Sequence, residues 1–422
     1  MLNFQQYPNL TKVTVPNAVK LSNNNLENAF YNMGNLKSVI FNHPDIVSMA
    51  NMYFNCTNLT GSPVCGNNVT NMSNAYSSCY NLTGSPVCGN NVINMYNAYN
   101  YCNKLNGSPV CGNNVTSMTY AYSSCYNLTG SPVCGNNVTN MYYAYSFCCN
   151  LTGSPVCGNN VTDLSGAYSY CVQLNGSPVC GNNVTSMTYA YSSCYNFTGS
   201  PVCGNNVTNM YNAYSSCYNL TGSPVCGNNV TDLSCAYSNC YNLTGSPVCG
   251  ENVTDMGYAY YVCINLTGSP VCGENVTNMS GAYSDCYNLT GSPVVSNNVT
   301  DMAFAYANCR NLTGSPVCGN NVTNMRGAYC NCRNLYGNAY FYSNSVNNVR
   351  YCFNGRNTSN RLNIYVHNGS ITLNKLLIND TYSLIGSAIT WTNNGTCRYN
   401  TSSNIYIYPV SNVATARSSN GD

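Results

Sequence analysis

Residues 220–242 read L-T-G-S-P-V-C-G-N-N-V-T-D-L-S-C-A-Y-S-N-C-Y-N, and this 23-residue unit recurs along most of the 422-residue chain. Its first position carries a large apolar residue at a constant interval: Leu36, Leu59, Leu82, Leu105, Leu128, Leu151, Leu174, Phe197, Leu220, Leu243, Leu266, Leu289, Leu312 and Leu335. A fixed period of roughly 20–50 residues is typical of solenoids, whose coils stack and cover one another. We therefore predict a β-rich, leucine-rich-repeat-like solenoid of about 14 coils that presents a long surface.

Each coil is numbered here from its large apolar residue at position 1. Apolar residues recur at positions 1, 6, 11, 14, 17 and 18, and in one coil they include Val64, Val69, Met72, Ala75 and Tyr76, which we expect to face the core. The alternating segments G-S-P-V-C and V-T-N-M predict short strands that pair in parallel between coils. The segment N-A-Y-S-S-C predicts a helical or 3₁₀ turn. Proline at position 5 lacks a ladder donor, so the first strand must be short.

The 29 cysteines follow the same period. Most occupy positions 7 and 21, and Val295 replaces the position-7 cysteine of one coil while Cys309 keeps position 21. Valine suits a slot for a small apolar group but cannot replace a disulfide partner or a metal ligand. We predict free thiols, with some disulfides as the first alternative and a metal site as the second, since no paired C-x-x-C motif occurs. Asparagine at position 10 predicts an amide ladder with a structural role.

Charge is scarce and unevenly placed. Only 6% of residues are charged. Seven acids and no basic residue lie between Lys104 and Arg310, whereas six arginines from Arg310 to Arg361 have no acid among them. Six arginines at one end do not make a nucleic-acid groove, so no nucleic-acid partner is expected. No apolar run of about 20 residues is present, and the N-terminus lacks a secretory signal, so we expect neither membrane insertion nor general secretory export.

The pattern V-T-N-M-x-x-A-Y-x-x-C-x-N-L-T, as in Val207–Met210, Ala213-Tyr214, Cys217 and Leu220-Thr221, resembles the BspA-like leucine-rich repeat of bacterial surface proteins. The resemblance covers about residues 10–335 and implies a parallel-β solenoid with non-enzymatic adhesion roles. Three features depart from that family: Tyr replaces Phe after Ala, G-S-P-V replaces an aliphatic strand, and export and anchoring signals are absent. The Asn- and Tyr-rich, nearly identical repeats also look like virion proteins of tailed phages, which leave the cell by lysis.

The period divides the sequence into three parts. We predict an irregular N-terminal capping coil at residues 1–35, the repeat solenoid with a degenerate last coil at residues 36–355, and a β-rich cap or attachment module at residues 356–422. In the last part L-N-I-Y-V-H, S-A-I-T-W-T and N-I-Y-I-Y-P-V alternate like strands, and residues 372–379 suggest a short helix.

Two sets of residues are candidates for binding. Positions 16 and 22 vary between coils and are rich in tyrosine, whose flat face and polar tip suit sugars or protein interfaces. This aromatic strip comprises Tyr120, Tyr126, Tyr143, Tyr189, Tyr195, Tyr218, Tyr241, Tyr258 and Tyr287. The basic end patch comprises Arg310, Arg326, Arg333, Arg350, Arg356 and Arg361. The alternatives are that tyrosine only fills a charge-poor surface and that the arginines seat the next module.

No residue pattern predicts catalysis. No acidic or cysteine residue lies near His367 in sequence, His43 has only Asp45 close by, and the acids are scattered singly. We expect no enzyme, cofactor or metal. The leading hypothesis is a receptor-binding or structural protein of a phage virion, acting outside the cell on a surface glycan or protein receptor. The alternatives are a cell-surface adhesin of the BspA-like type and an architectural spacer that associates with itself or with other virion proteins.

Overall fold

The computed structural model describes residues 3–16, 24–41, 45–378 and 383–420. The chain divides into two compact units. The first comprises Met1–Val207 and Ser216–Tyr218, and the second comprises Thr208–Ser215 and Asn219–Asp422. In both units the described residues are mostly non-helical, and successive 23-residue coils contact one another in register.

The first unit begins with a parallel strand pair. β1 (Lys12–Val15) pairs with β2 (Ser38–Phe41), with Lys12 opposite Ser38. The following coils are joined by single parallel bridges at position 13, as between Asn71 and Asn94. The predicted parallel pairing is therefore present, but between most coils it is one residue wide. The predicted G-S-P-V-C strand is wrong for these coils.

A ladder of tight turns takes the place of the expected helical segment. In the coil of Leu243, the Ala259 amide donates to the Met256 carbonyl at 3.0 Å, the spacing of a 3₁₀ turn. The amides of alternate residues donate instead to the next coil, as Tyr258 does to Ser280 at 2.8 Å. This alternation requires left-handed backbone at positions 16 and 20, where Tyr258 has φ 55° and Val262 has φ 58°.

Tyrosine at position 18 explains the behaviour of the G-S-P-V segment. Tyr260 is fully buried, its hydroxyl donates to the Val248 carbonyl at 2.6 Å, and it accepts from the Val248 amide at 3.0 Å. One side chain thus satisfies both backbone groups that a strand would pair with its neighbour. The same bonds recur in most coils of each unit, so proline at position 5 disrupts no ladder.

The core consists of repeated columns of identical side chains. Positions 1, 11, 14, 17, 18 and 21 are almost completely buried in each coil. The tyrosine rings of position 18 stack within each unit, as Tyr76 on Tyr99 at 5.4 Å and Tyr260 on Tyr283 at 5.5 Å. The prediction that position 6 faces the core is wrong, because Val64 is 48% exposed while Pro63 is buried. Tyrosine holds the valine backbone, and the alternation of the segment then turns the proline ring inward.

The prediction of thiols without disulfide bridges is confirmed, since none of the 29 cysteines forms a disulfide. Those at position 21 are buried, and each thiol contacts a carbonyl of the preceding coil, as Cys263 does with Tyr237 at 3.0 Å. Those at position 7 are mostly half-buried. Cysteine therefore acts as a compact core residue with a weak hydrogen-bond donor.

The second unit ends in a six-stranded sheet of order β3-β4-β5-β8-β7-β6. β3 (Val317–Cys318), β4 (Gly337–Phe341), β5 (Leu362–His367) and β8 (Ile405–Val410) pair in parallel, whereas β6 (Thr392–Asn393), β7 (Arg398–Asn400) and β8 pair antiparallel. α1 (Ile371–Leu376) follows β5, and α2 (Val413–Ser419) contacts β4 and β5. The sheet thus continues from a repeat coil into the C-terminal strands. A short helix occurs where the sequence predicts one, although Asn379 lies outside the described residues.

Candidate functional site

The predicted aromatic strip is divided between two columns of side chains. Tyr126 and Tyr258 are exposed, and the other seven tyrosines are half-buried: Tyr120, Tyr143, Tyr189, Tyr195, Tyr218, Tyr241 and Tyr287. In the first unit Tyr120 stacks on Tyr143 at 5.5 Å in column 16, and Tyr195 stacks on Tyr218 at 4.8 Å in column 22. Where rings stack on one another, their edges and hydroxyls face solvent rather than their flat faces.

Column 16 is also interrupted by glycine. A Cβ on Gly281 would meet the Tyr258 ring at 2.5 Å, and a Cβ on Gly327 would meet the Phe304 ring at 2.4 Å. Each ring therefore fills the space of the side chain that the next coil lacks. At these two places the aromatic residue covers its neighbouring coil, and a continuous row of open aromatic faces is not formed.

The predicted basic patch is only partly a surface. Arg310, Arg326, Arg333, Arg350 and Arg361 are exposed, whereas Arg356 is 8% exposed. The Arg310 guanidinium lies 4.8 Å from the Tyr287 ring, and that of Arg326 lies 5.5 Å from Phe304. Each arginine thus rests on an aromatic ring of the preceding coil. The prediction that Arg356 belongs to the basic end patch is wrong, because its side chain is buried and donates to backbone carbonyls.

A groove that the sequence analysis did not single out lies on the second unit. It has a volume of about 630 Å³ and is lined by alternating residues of positions 10 and 12: Thr208, Asn229, Thr231, Asn252, Thr254, Asn275, Thr277 and Asn298. All eight side chains are exposed. We call this surface the threonine–asparagine groove. It presents the same two chemical groups once per coil.

Backbone hydrogen bonds fix the orientation of these side chains. The Thr254 hydroxyl donates to the Thr231 carbonyl at 3.1 Å, and the Asn252 amide donates to the Asn228 carbonyl at 2.8 Å. The predicted amide ladder is therefore wrong in detail, since the acceptor is backbone of the preceding coil. Thr254 and Thr277 keep their oxygen lone pairs and methyl groups for a ligand, and Asn252 and Asn275 keep their side-chain carbonyl oxygen and a second N–H. Such a surface suits hydroxyl groups flanked by C–H groups.

The C-terminal sheet carries a row of tyrosines that sequence reasoning missed, in which Tyr365 and Tyr408 are half-buried and Tyr340 is 7% exposed. Tyr340, Tyr365 and Tyr408 occupy one register of β4, β5 and β8, with ring centroids 5.2 and 4.9 Å apart. Arg361 donates to the Tyr408 hydroxyl at 2.8 Å and lies 3.9 Å from the Tyr406 ring. The alternation N-I-Y and Y-I-Y was the available signal, because it places these tyrosines on one face of the sheet.

Burial changes the acidity of the thiols in the described coils. Burial raises the pKa of the Cys249 and Cys263 thiols to about 12, so both stay protonated at neutral pH. His367 is exposed and lies 2.8 Å from the Asn368 carbonyl, whereas His43 lies outside the described residues. In the described part of the chain, no group of three or more His, Cys, Asp or Glu side chains could hold a metal ion.

Neither α1 nor α2, nor any other helix within the described ranges, has the length and apolar content that spanning a bilayer requires.

Residues 24–133 match the model of a family described as "Mycoplasma protein of unknown function, DUF285". Among solved structures, the chain is similar to a leucine-rich cell surface protein from Faecalibacterium prausnitzii A2-165, with 15% sequence identity and a TM-score of 0.34. That similarity covers 82% of this chain and 87% of the other. None of the curated proteins matches the chain.

Proposed function

We propose that the protein is a non-enzymatic repeat scaffold for surface recognition, and that the threonine–asparagine groove binds a linear, hydroxyl-rich polymer such as a surface glycan. The supporting observation is the repetition of one exposed threonine and one exposed asparagine in successive coils. Parallel coils repeat at about 4.8 Å. A polymer laid along the groove would meet equivalent groups at each coil, and many weak contacts would add up along its length.

The groove chemistry favours a glycan over an apolar peptide segment. In Thr254 and Thr277 the hydroxyl hydrogen is used by a backbone carbonyl, and in Asn252 and Asn275 one amide hydrogen is used in the same way. Acceptor oxygens, one donor and methyl groups remain. Sugar hydroxyls supply the matching donors and acceptors, and sugar C–H groups pack on methyl groups.

We also propose an architecture for the whole chain and a place where the protein acts. We infer a leucine-rich-repeat solenoid of about 14 coils, acting on the virion of a tailed phage as a receptor-binding or structural protein. The alternative is a BspA-like adhesin on a cell surface, and the third possibility is a self-associating spacer. Tail and baseplate genes beside this gene would support the first, and wall-attachment genes would support the second. Filaments of purified protein without glycan retention would support the third.

The proposal can be tested with substitutions that fill the threonine–asparagine groove and leave the core residues unchanged. Thr254→Tyr with Thr277→Tyr places two large rings in the groove at exposed positions. The matched control is Thr244→Tyr with Thr267→Tyr, since these exposed threonines also bond a carbonyl of the preceding coil but lie outside the groove. We expect glycan-array and cell-envelope binding to fall at least about tenfold in the groove variant alone. Equal binding by both variants would show that the groove is not the recognition surface.

A further inference from the structure

Arg356 is a buried cation without a carboxylate partner among the described residues. It is 8% exposed, and its guanidinium donates to the carbonyls of Ser403 and Asn360. The remaining N–H groups bond no atom of the described residues. A guanidinium has five N–H donors, and burying its charge without a counter-ion is costly. The two carbonyls satisfy only part of this demand.

A small pocket lies against this side chain. It has a volume of about 190 Å³ and is lined by Phe353, Gly355, Arg356, Thr358, Ile385, Ser402 and Ser403. The hydroxyls of Thr358 and Ser402 bond no described residue, so both can turn toward the pocket. The site therefore joins a buried cation to hydroxyl donors at its rim.

The surroundings of the pocket are basic. From Arg310 to Asn420 the described residues include nine arginines and lysines and no acid, since Asp380 lies outside the described ranges. Arg333 lies close, because its carbonyl accepts from the Asn360 amide at 3.5 Å. Arg361 follows Asn360 in the chain. The field of these side chains favours an anion at the pocket.

We propose that Arg356 forms the base of an anion site that takes a tetrahedral oxyanion, namely phosphate, either free or as the terminal group of a larger molecule. Phosphate oxygens pair with the unused guanidinium N–H groups, and the hydroxyls of Thr358 and Ser402 donate from the rim. Binding neutralises the buried charge and ties the loop of Arg356 to the turn before β8. This site is independent of the threonine–asparagine groove.

The test is calorimetric titration of the full chain with sodium phosphate and with glycerol 3-phosphate, at ionic strength held constant with chloride. We expect wild-type protein to bind phosphate, and we expect Arg356→Gln to weaken binding at least about tenfold. Ser402→Phe fills the pocket and keeps the arginine, so it decides the matter if Arg356→Gln fails to fold. The matched control is Arg333→Gln, which removes one exposed, solvent-screened arginine of the same basic region and should weaken binding by less than about twofold.

The two ligands distinguish the sources of phosphate. Equal binding of both indicates a terminal phosphate group that can belong to a larger molecule, and binding of inorganic phosphate alone indicates the free ion. The proposal is overturned if wild-type protein binds neither ligand, or if Arg333→Gln weakens binding as much as Arg356→Gln. It is also overturned if binding appears only in Asp380→Asn, because an internal carboxylate would then neutralise the arginine.

Discussion

Replacing Tyr260 by phenylalanine should destabilise its coil, because a single oxygen atom replaces strand pairing there. The hydroxyl bonds both the carbonyl and the amide of Val248, at 2.6 and 3.0 Å. The ring itself stays buried between Tyr237 and Tyr283, at 5.6 and 5.5 Å. The substitution therefore removes two hydrogen bonds and changes little else.

The expected loss of unfolding free energy depends on whether the Val248 amide and carbonyl find new hydrogen-bond partners. A hydrogen bond contributes about 1 kcal/mol net, and a buried group left without a partner costs about 1–3 kcal/mol. The Val248 side chain is half-buried, so water reaches part of this segment and the lower range applies. We expect a loss of about 2 kcal/mol, which corresponds to an equilibrium constant for opening of the coil that is about 30-fold larger, and hydrogen exchange that is faster by the same factor.

Hydrogen exchange measured by mass spectrometry on peptides that contain Val248 reads this loss locally. Tyr258→Phe in the same coil is the control, because Tyr258 is 42% exposed and its hydroxyl bonds no described residue. We expect that control to change stability by less than about 0.5 kcal/mol. If exchange near Val248 is equally fast in both variants, the tyrosine hydroxyl does not hold the segment and the explanation of the proline column is wrong.

Three further outcomes follow from the cysteine columns. Cys249→Val should alter the urea midpoint of unfolding little, because Val295 already occupies the position-7 column. Cys263→Val should cost about 1–3 kcal/mol of stability, because valine overpacks a fully buried site. Equal losses of stability in the two variants would contradict this difference between the cysteine columns. Intact mass under non-reducing conditions, after alkylation in denaturant, should show 29 modified thiols, and fewer would reveal disulfides. Stability should fall in alkali, because burial raises the pKa of Cys263 from its ordinary value of 9.0 to about 12. The contribution of the Cys263 thiol to stability is therefore present below pH 9.0 and is lost as the pH rises toward 12. A circular-dichroism signal unchanged over this range would contradict this expectation.

The period and most of the core were predictable, because position 1 and the columns of Val, Met, Ala, Tyr and Cys repeat with few substitutions. Position 6 was not, since apolar character alone does not say whether Pro63 or Val64 faces inward. The answer depends on a hydroxyl 12 residues later in the chain. Propensity also gave no sign of left-handed backbone at Val262, because bonds to the next coil impose it.

The candidate surfaces were only partly predictable. The sequence showed which columns vary, but not that Tyr195 and Tyr218 cover each other's faces. It gave the asparagine of position 10 only a structural role, although the alternation of positions 10 and 12 also predicts one outward face. Arg356 looked like its exposed neighbours, because burial of a single arginine depends on loops without periodicity. The boundaries at residues 35 and 355 stay predictions.

The central claim is that identical residues of successive 23-residue coils stack on one another. It is tested most directly by deleting either one complete repeat or part of a repeat. Deleting residues 220–242 removes one complete coil and joins Asn219 to Leu243, so each column keeps its register. Deleting residues 220–231 removes about half a coil and shifts each later column. We predict that the first variant gives wild-type circular dichroism and cooperative urea unfolding, and that the second loses both. Equal behaviour of the two variants would contradict the account.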